Sequence, residues 1–177
     1  MPAAEINTES FSIGWINTNK GRIGICEAPG RYIKHINHQR DIITDIDQLE
    51  ASGARVVFSF IETEELSIYR MPSLLEDLGS KFVLHHIPTA DGEVPEPLHR
   101  IVSDVIEAMV EGPVVLHCYG GLGRSATVAA AVLVTLSSKP RAGYEGHPAL
   151  DAIEAVRGVR GSQAVQTVRQ WNALFEC

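Results

Sequence analysis

The sequence predicts a single α/β domain with helices packed on both faces of a sheet. Short runs rich in Ile, Val and Phe alternate with stretches whose apolar residues recur at helical spacing, the order of strands and helices in such folds. One run, "VVLH" (114–117), is apolar nearly throughout, as a strand covered on both sides must be. The composition, 45% hydrophobic and 21% charged over 177 residues, suits one ordinary core. No repeat, low-complexity linker or second-domain boundary interrupts it, so residues 1–177 are read as one domain.

From the N-terminus, "FSIGWI" (11–16) and "IGICE" (23–27), separated by the polar "NTNKGR", predict a hairpin or two edge strands. Residues 1–22 are therefore expected as an N-terminal extension or part of that hairpin. "EAPGRY" breaks the pattern. Over 40–51, Ile42, Ile43, Ile46 and Leu49 fall on one helix face, and Gly53 ends the run. "RVVFSF" (55–60) predicts a central strand, "EEL" and "PSLLEDLG" short helical pieces, and "FVLHHI" (82–87) another strand. The loop "PTADGEVPEP" follows. Ile101, Val102, Val105, Ile106 and Met109 mark a helix over 98–110, closed by Gly112 and Pro113. After "VVLH", a glycine-rich loop leads into a helix from Ser125. "HPALDAIEAVRG" (147–158) and "SQAVQTVRQWNALF" (162–175) predict two last helices joined at "RGVRG".

The net charge of −7, from 15 basic and 22 acidic residues, argues against a general nucleic-acid or anionic-membrane binder. Three cysteines, Cys26, Cys118 and Cys177, without a CxxC pair, read as reduced thiols of a cytoplasmic chain. "MPAAEINTES" lacks the pattern of a secretory signal, and the longest apolar segment, 126–136, is too short to span a bilayer. A soluble cytoplasmic monomer is expected. Seven histidines show no ligand spacing, so neither a metal nor a cofactor is expected. His85 and His86 close a strand, where packing or hydrogen bonding is their ordinary fate. Cys26 reads as a small buried side chain and Cys177 as part of a frayed terminus. Arg157 and Arg160 are either a basic rim or helix caps.

The chemistry concentrates in "HCYGGLGRS" (117–125). Gly120, Gly121 and Gly123 let backbone amides converge without side chains between them. The following helix turns its N-terminus, with free N–H groups and a positive dipole end, back onto the loop. Such a nest suits a dianion, and Arg124 adds a planar fork for two phosphate oxygens. Cys118 lies at the base of this cradle, where helix terminus and guanidinium favour the nucleophilic thiolate. These residues predict a phosphocysteine intermediate, with Ser125 donating a hydrogen bond to the departing sulfur and His117 orienting the cysteine end. The Lys of a P-loop and the spacing of a GxGxxG motif are both missing, which weakens a nucleotide-binding turn as the alternative.

His-Cys, five residues, Arg and Ser, between strand and helix, resembles the signature loop of the cysteine-dependent protein tyrosine phosphatases. The segments "HHIPTADGEVPEP", "RGSQAVQTVRQWNAL" and "ELSIYRMPSLLEDLG" extend the likeness to the cyclin-dependent-kinase-associated phosphatase family, a dual-specificity branch, from about residue 24 to 175. The resemblance implies a central mixed sheet flanked by helices, and hydrolysis of phosphotyrosine, phosphoserine or phosphothreonine in phosphoproteins, a phosphorylated kinase among them. By the same match, Tyr119 and Leu122 complete the phosphate-binding loop with His117, Gly120, Gly121 and Gly123.

A phosphate ester also needs its leaving oxygen protonated. Asp91, in the loop after a strand and before Gly92, is the candidate acid; the family's acid lies at about this separation from the cysteine. The ordinary alternative is an Asp-Gly turn. Glu93 stands in reserve, and Asp104 lies inside a helix. Gln163, Gln166 and Gln170 would share one helix face, ordinarily a solvated stripe. "QTVRQ" nevertheless resembles the segment that positions the hydrolytic water, which points to Gln166 first and Gln170 second. Two other readings stay open: a phosphatase of a non-protein phosphomonoester (lipid, nucleotide or RNA end), and a phosphoprotein-binding module without turnover. Lipid-acting relatives place lysines within the loop, and inactive relatives lose the cysteine, the arginine or the acid. Arsenate reduction would call for further reactive cysteines. Residues 137–150 are expected to shape specificity.

Overall fold

The computed structural model describes residues 10–139 and 143–177. Seven strands and seven α-helices follow one another among them. These are β1 (Ile13–Thr18), β2 (Gly21–Cys26), β3 (Tyr32–Ile33), β4 (His38–Gln39), α1 (Ile42–Ala51), β5 (Val56–Ser59), α2 (Thr63–Ile68) and α3 (Leu74–Lys81). Then come β6 (Val83–His86), α4 (Leu98–Glu111), β7 (Val114–His117), α5 (Arg124–Leu136), α6 (Pro148–Arg160) and α7 (Val168–Phe175). The main sheet has the order β1-β2-β7-β5-β6; β1 pairs antiparallel with β2, and the other pairings are parallel. This is the mixed sheet that the family likeness implies.

Strand alternation sends neighbouring residues to opposite faces, and the core divides accordingly. Val114 and Leu116 of β7 pack with Ile101 and Val105 of α4, Val128 and Val132 of α5, Ile153 of α6 and Leu174 of α7. Val115 of β7 and Val57 of β5 pack with Ile46 and Leu49 of α1 and with Leu74 and Leu78 of α3. Helix α5 is buried along almost its whole length, because alanines and valines let it lie close under the sheet. Among the described residues, no helix is long and apolar enough to cross a membrane.

The parallel strands place four chain segments at one edge. Cys26, His117, Ser59 and His86 end neighbouring strands in register, so the chain leaves the sheet there four times. The crevice beyond the carboxyl ends of parallel strands is where open α/β sheets assemble their sites.

The structure corrects three expectations. Strands β1 and β2 form the expected hairpin and not two edge strands, since β2 lies between β1 and β7, and the turn is shorter than the polar run suggested, because Asn17 and Thr18 remain in register. The "EAPGRY" break leads into a small second sheet of β3 and β4, joined by a 3-10 turn at Lys34–Ile36. Residues 162–167 are not helical: α7 starts at Val168 because Thr167 and Gln170 close a reciprocal cap just before it. Gln163 and Gln166 therefore precede the helix and do not share its face with Gln170. Of the 137–150 segment, residues 140–142 lie outside the described residues, as do residues 1–9 of the N-terminal extension.

A buried ionic cluster fixes the segment after β2. The Arg40 guanidinium meets Asp45 at 2.8 Å, Glu27 at 2.5 Å and the Ala28 carbonyl at 3.0 Å, while Asp45 also accepts from the Gly30 N–H at 2.8 Å. Removing the cation would leave the Asp45 carboxylate without its ion partner and Glu27 with only Arg31. Arg40→Met should therefore lower the unfolding free energy by about 3 kcal/mol in urea titration; an unchanged midpoint would show that the carboxylates do not need it.

Candidate active site

The loop from β7 to α5 is held by its carbonyls. Tyr119 O accepts from Ala28 N at 3.0 Å and Leu122 O from Val165 N at 2.8 Å. Gly120 O and Gly121 O both accept from Arg160, at 3.2 and 3.1 Å, and Gly123 O accepts from the N–H and hydroxyl of Thr127 at 2.9 Å. Every partner lies outside the loop. In a planar trans peptide the N–H points opposite to the C=O, so the amides from Gly120 to Arg124 turn toward the loop's interior. Among the described residues, no acceptor takes any of them. The result is a ring of free donors at a helix N-terminus, an arrangement suited to a tetrahedral anion.

Glycine is required at Gly121 and closely approached at Gly123. Gly121 has φ +68°, and a Cβ there would lie 2.6 Å from the Cys26 backbone. At Gly123 a Cβ would lie 2.8 Å from Gln166 Oε1 and 3.1 Å from Gln170 Nε2. This close approach brings Gln166, otherwise exposed, directly over the loop.

Cys118 sits at the bottom, with its sulfur 3.3 Å from Ser125 Oγ. Behind it, His117 is fully buried, and its Nδ1 lies 3.4 Å from Cys118 O. Burial pushes its imidazole down from 6.5 to about 4; the hydrogen bond to Cys118 O opposes this, and the charges of Arg124 and His86 reinforce it. His117 is thus a neutral prop of the loop. Tyr119 faces away from the amide ring: its hydroxyl donates to Tyr32 O at 2.9 Å and its ring stacks on Tyr69 at 3.8 Å.

Arg124 is almost completely buried. Its NH1 reaches Glu65 Oε2 at 2.6 Å, Thr89 O at 2.7 Å and Phe60 O at 3.2 Å, and its NH2 reaches Glu65 Oε1 at 2.9 Å. Burial works against the cation, but the Glu65 hydrogen bonds and the charges of Cys118, Glu65 and Asp91 outweigh it and hold the guanidinium above its usual range. Its Nε is buried and has no acceptor among the described residues. Asp91 stands opposite, its Oδ1 3.5 Å from Arg124 NH2 and its side chain 81% exposed.

The structure brings Cys118, Ser125, Arg124, Asp91, Gln166 and the glycine loop to one place. Gln170 is buried against the same loop, with its amide engaged by backbone groups. Asp104 lies on an exposed face of α4, away from this cluster. Sequence reasoning missed Glu65, the buried partner of Arg124; only the likeness of "ELSIYR" to the family pointed at its neighbourhood. It left Arg160 undecided, and the structure gives that residue to the loop carbonyls. Arg157 lies against Ala164 O and the Trp171 ring. Among the described residues, no group of three or more His, Cys, Asp or Glu could hold a metal ion.

Sheet, loop and arginine together define a cysteine-based phosphatase of the dual-specificity class. The family model of cyclin-dependent kinase inhibitor 3 matches residues 3–142, and the chain belongs to that family. It is 35% identical to cyclin-dependent kinase inhibitor 3 of Rattus norvegicus over 181 residues, covering 99% of this chain and 76% of the relative. The corresponding Homo sapiens protein is 34% identical, over 93% of this chain and 77% of its own length. Among solved structures, a kinase associated phosphatase carrying serine in place of its catalytic-site cysteine superposes with a TM-score of 0.82 at 31% identity, covering 96% of this chain and 95% of that one. The active form of Tk-PTP gives a TM-score of 0.70 at 27% identity, over 93% and 95%.

A buried neutral histidine makes stability depend on pH. Between about pH 6.5 and 4 the unfolded chain binds the proton and the folded chain does not, so stability is full above this window and falls as the pH falls through it. The loss assigned to His117 is about 3 kcal/mol. Urea unfolding at pH 7 and pH 4.5 should show a smaller pH-dependent loss in His117→Asn than in wild type; equal losses would contradict this origin.

Proposed function

We propose that the protein hydrolyses phosphotyrosine and phosphoserine or phosphothreonine in phosphoproteins through a phosphocysteine intermediate. The observation that carries this reading is the run of unpaired amides from Gly120 to Arg124, with the unpartnered Nε of Arg124, in the loop that carries Cys118. A phosphoryl group of the substrate accepts hydrogen bonds from the amides of residues 120–124 and from the guanidinium. The Cys118 sulfur attacks phosphorus, the ester P–O bond breaks, and Asp91 gives its proton to the leaving oxygen. Charge developing on the equatorial oxygens falls on donors already in place. In the second step Gln166, lying over Gly123, holds a water against phosphorus, and Asp91 takes that water's proton. The S–P bond breaks as the Ser125 hydroxyl, 3.3 Å away, donates to the sulfur.

The names of the relatives support a phosphorylated kinase as the phosphoprotein. The loop side chains, Tyr119 and Leu122 among glycines, add no further cation for a polyphosphorylated lipid head group. We place the enzyme in the reducing cytoplasm as a monomer, where the Cys118 thiol stays available.

Phosphate release from matched phosphotyrosine and phosphothreonine peptides under reducing conditions tests the reading. Turnover should vanish in Cys118→Ser and fall about 100-fold or more in Asp91→Asn, in line with the usual contribution of general acid catalysis. Tight phosphopeptide binding by a wild type that releases no phosphate would replace the enzyme with a binding module.

A further inference from the structure

We propose that Thr167 and Gln170 form a latch that holds the acid loop shut over the nucleophile loop and so positions Asp91, an inference that rests on the phosphatase reading above. The carbonyls of the two residues after Asp91 are both captured from the start of α7. Thr167 Oγ1 donates to Gly92 O at 2.9 Å, and Gln170 Nε2 donates to Glu93 O at 3.0 Å. Beside them the Arg169 guanidinium pairs with the Glu93 carboxylate.

The same two side chains cap the helix. Thr167 Oγ1 accepts from Gln170 N at 3.2 Å, and Gln170 Oε1 accepts from Gln166 N at 3.0 Å and Thr167 N at 3.3 Å. The threonine hydroxyl has only one hydrogen, and Gly92 O receives it. A capping glutamine needs only its oxygen; here the amide nitrogen is used too, and the whole side chain is sealed from solvent beneath the acid loop.

The segment that carries the latch is fixed to the nucleophile loop at its other end. Val165 N donates to Leu122 O at 2.8 Å, and Arg157 Nε holds Ala164 O at 3.1 Å. Between them Val165 adopts φ +61°, a left-handed conformation that a β-branched residue takes only when its surroundings impose it. Residues 164–170 therefore bridge the loop bearing Cys118 and the loop bearing Asp91. Asp91 itself is 81% exposed and meets Arg124 only at 3.5 Å, so its place depends on its neighbours in the chain. Two neutral hydrogen bonds of this kind favour the shut loop by about 30-fold.

The test separates latch from cap. Gln170→Glu keeps the oxygen that caps α7 and removes only the donor to Glu93 O, so it separates the two roles; Thr167→Val removes the hydroxyl and with it both cap and latch, and Thr167→Ser keeps both. Two substrates differ in their need for an acid: p-nitrophenyl phosphate, whose leaving group departs as a stable anion, and a phosphothreonine peptide, whose alkoxide must be protonated. In kcat/KM, which reports only the phosphoryl transfer to Cys118 and not the shared second step, Gln170→Glu and Thr167→Val should lose about 10- to 30-fold on the peptide and at most about 3-fold on the aryl phosphate, while Thr167→Ser stays within about 2-fold of wild type on both. Hydrogen exchange at the Glu93 amide, bonded to Ala90 O at 3.1 Å, should quicken by about the same factor in the first two variants. Equal losses on both substrates, or unchanged exchange, would overturn the latch. If wild type hydrolyses neither substrate, the phosphatase reading falls, and the exchange rates alone still decide whether these residues hold the loop.

Discussion

The buried pair of Arg124 and Glu65 is the constraint from which the rest of the site follows. Bringing a guanidinium into the interior is unfavourable unless its donors are met, and a carboxylate with two carbonyls meets those of its two terminal nitrogens. The bidentate pair fixes the plane of the fork, which a lysine could not do. It also gathers separate parts of the chain. Glu65 comes from α2, Phe60 from the end of β5, Thr89 from the acid loop, and Arg124 from the first turn of α5. One side chain thus sets where the acid loop starts, and its Nε remains without an acceptor among the described residues.

The second condition is backbone orientation. A loop can present five amides to one anion only if the opposing carbonyls find donors elsewhere, and these come from distant elements: the segment after β2, α5 itself, Arg160 at the end of α6, and the strained turn at Val165. The ionic cluster around Arg40 holds Ala28, which in turn holds Tyr119. Charge in the cluster therefore acts on the loop through packing and hydrogen bonds. The sheet makes this economical, because four parallel strands release their chains at the same edge.

Much of this was legible in the sequence, for identifiable reasons. The helices read over 40–51 and 98–110 follow from apolar period and the glycines that close them, the strand at 114–117 from its unbroken apolar run, and the loop from glycine spacing between a strand and a helix. Elements whose cause lies outside the local pattern were not legible. Strands β3 and β4 are only two residues each, Tyr32–Ile33 and His38–Gln39, too short to show a period. Residues 162–175 read as one helix, yet Val168 is 76% exposed and the cap at Thr167 decides the start. Glu65 carries no signal of its own, since its partner lies 59 residues away. Arg160 could be read as a helix cap until the loop carbonyls were located.

The central claim is that the loop holds a phosphoryl group between sulfur and guanidinium, and its most direct test is to catch that group in place. Wild-type enzyme turning over a phosphotyrosine peptide would be quenched in acid within one catalytic cycle and mapped by mass spectrometry. The account predicts a phosphoryl group on the fragment containing Cys118, formed in a burst before steady release of phosphate. Phosphate released at full rate with no adduct at any time would contradict it, and would make the cradle a site for direct attack by water.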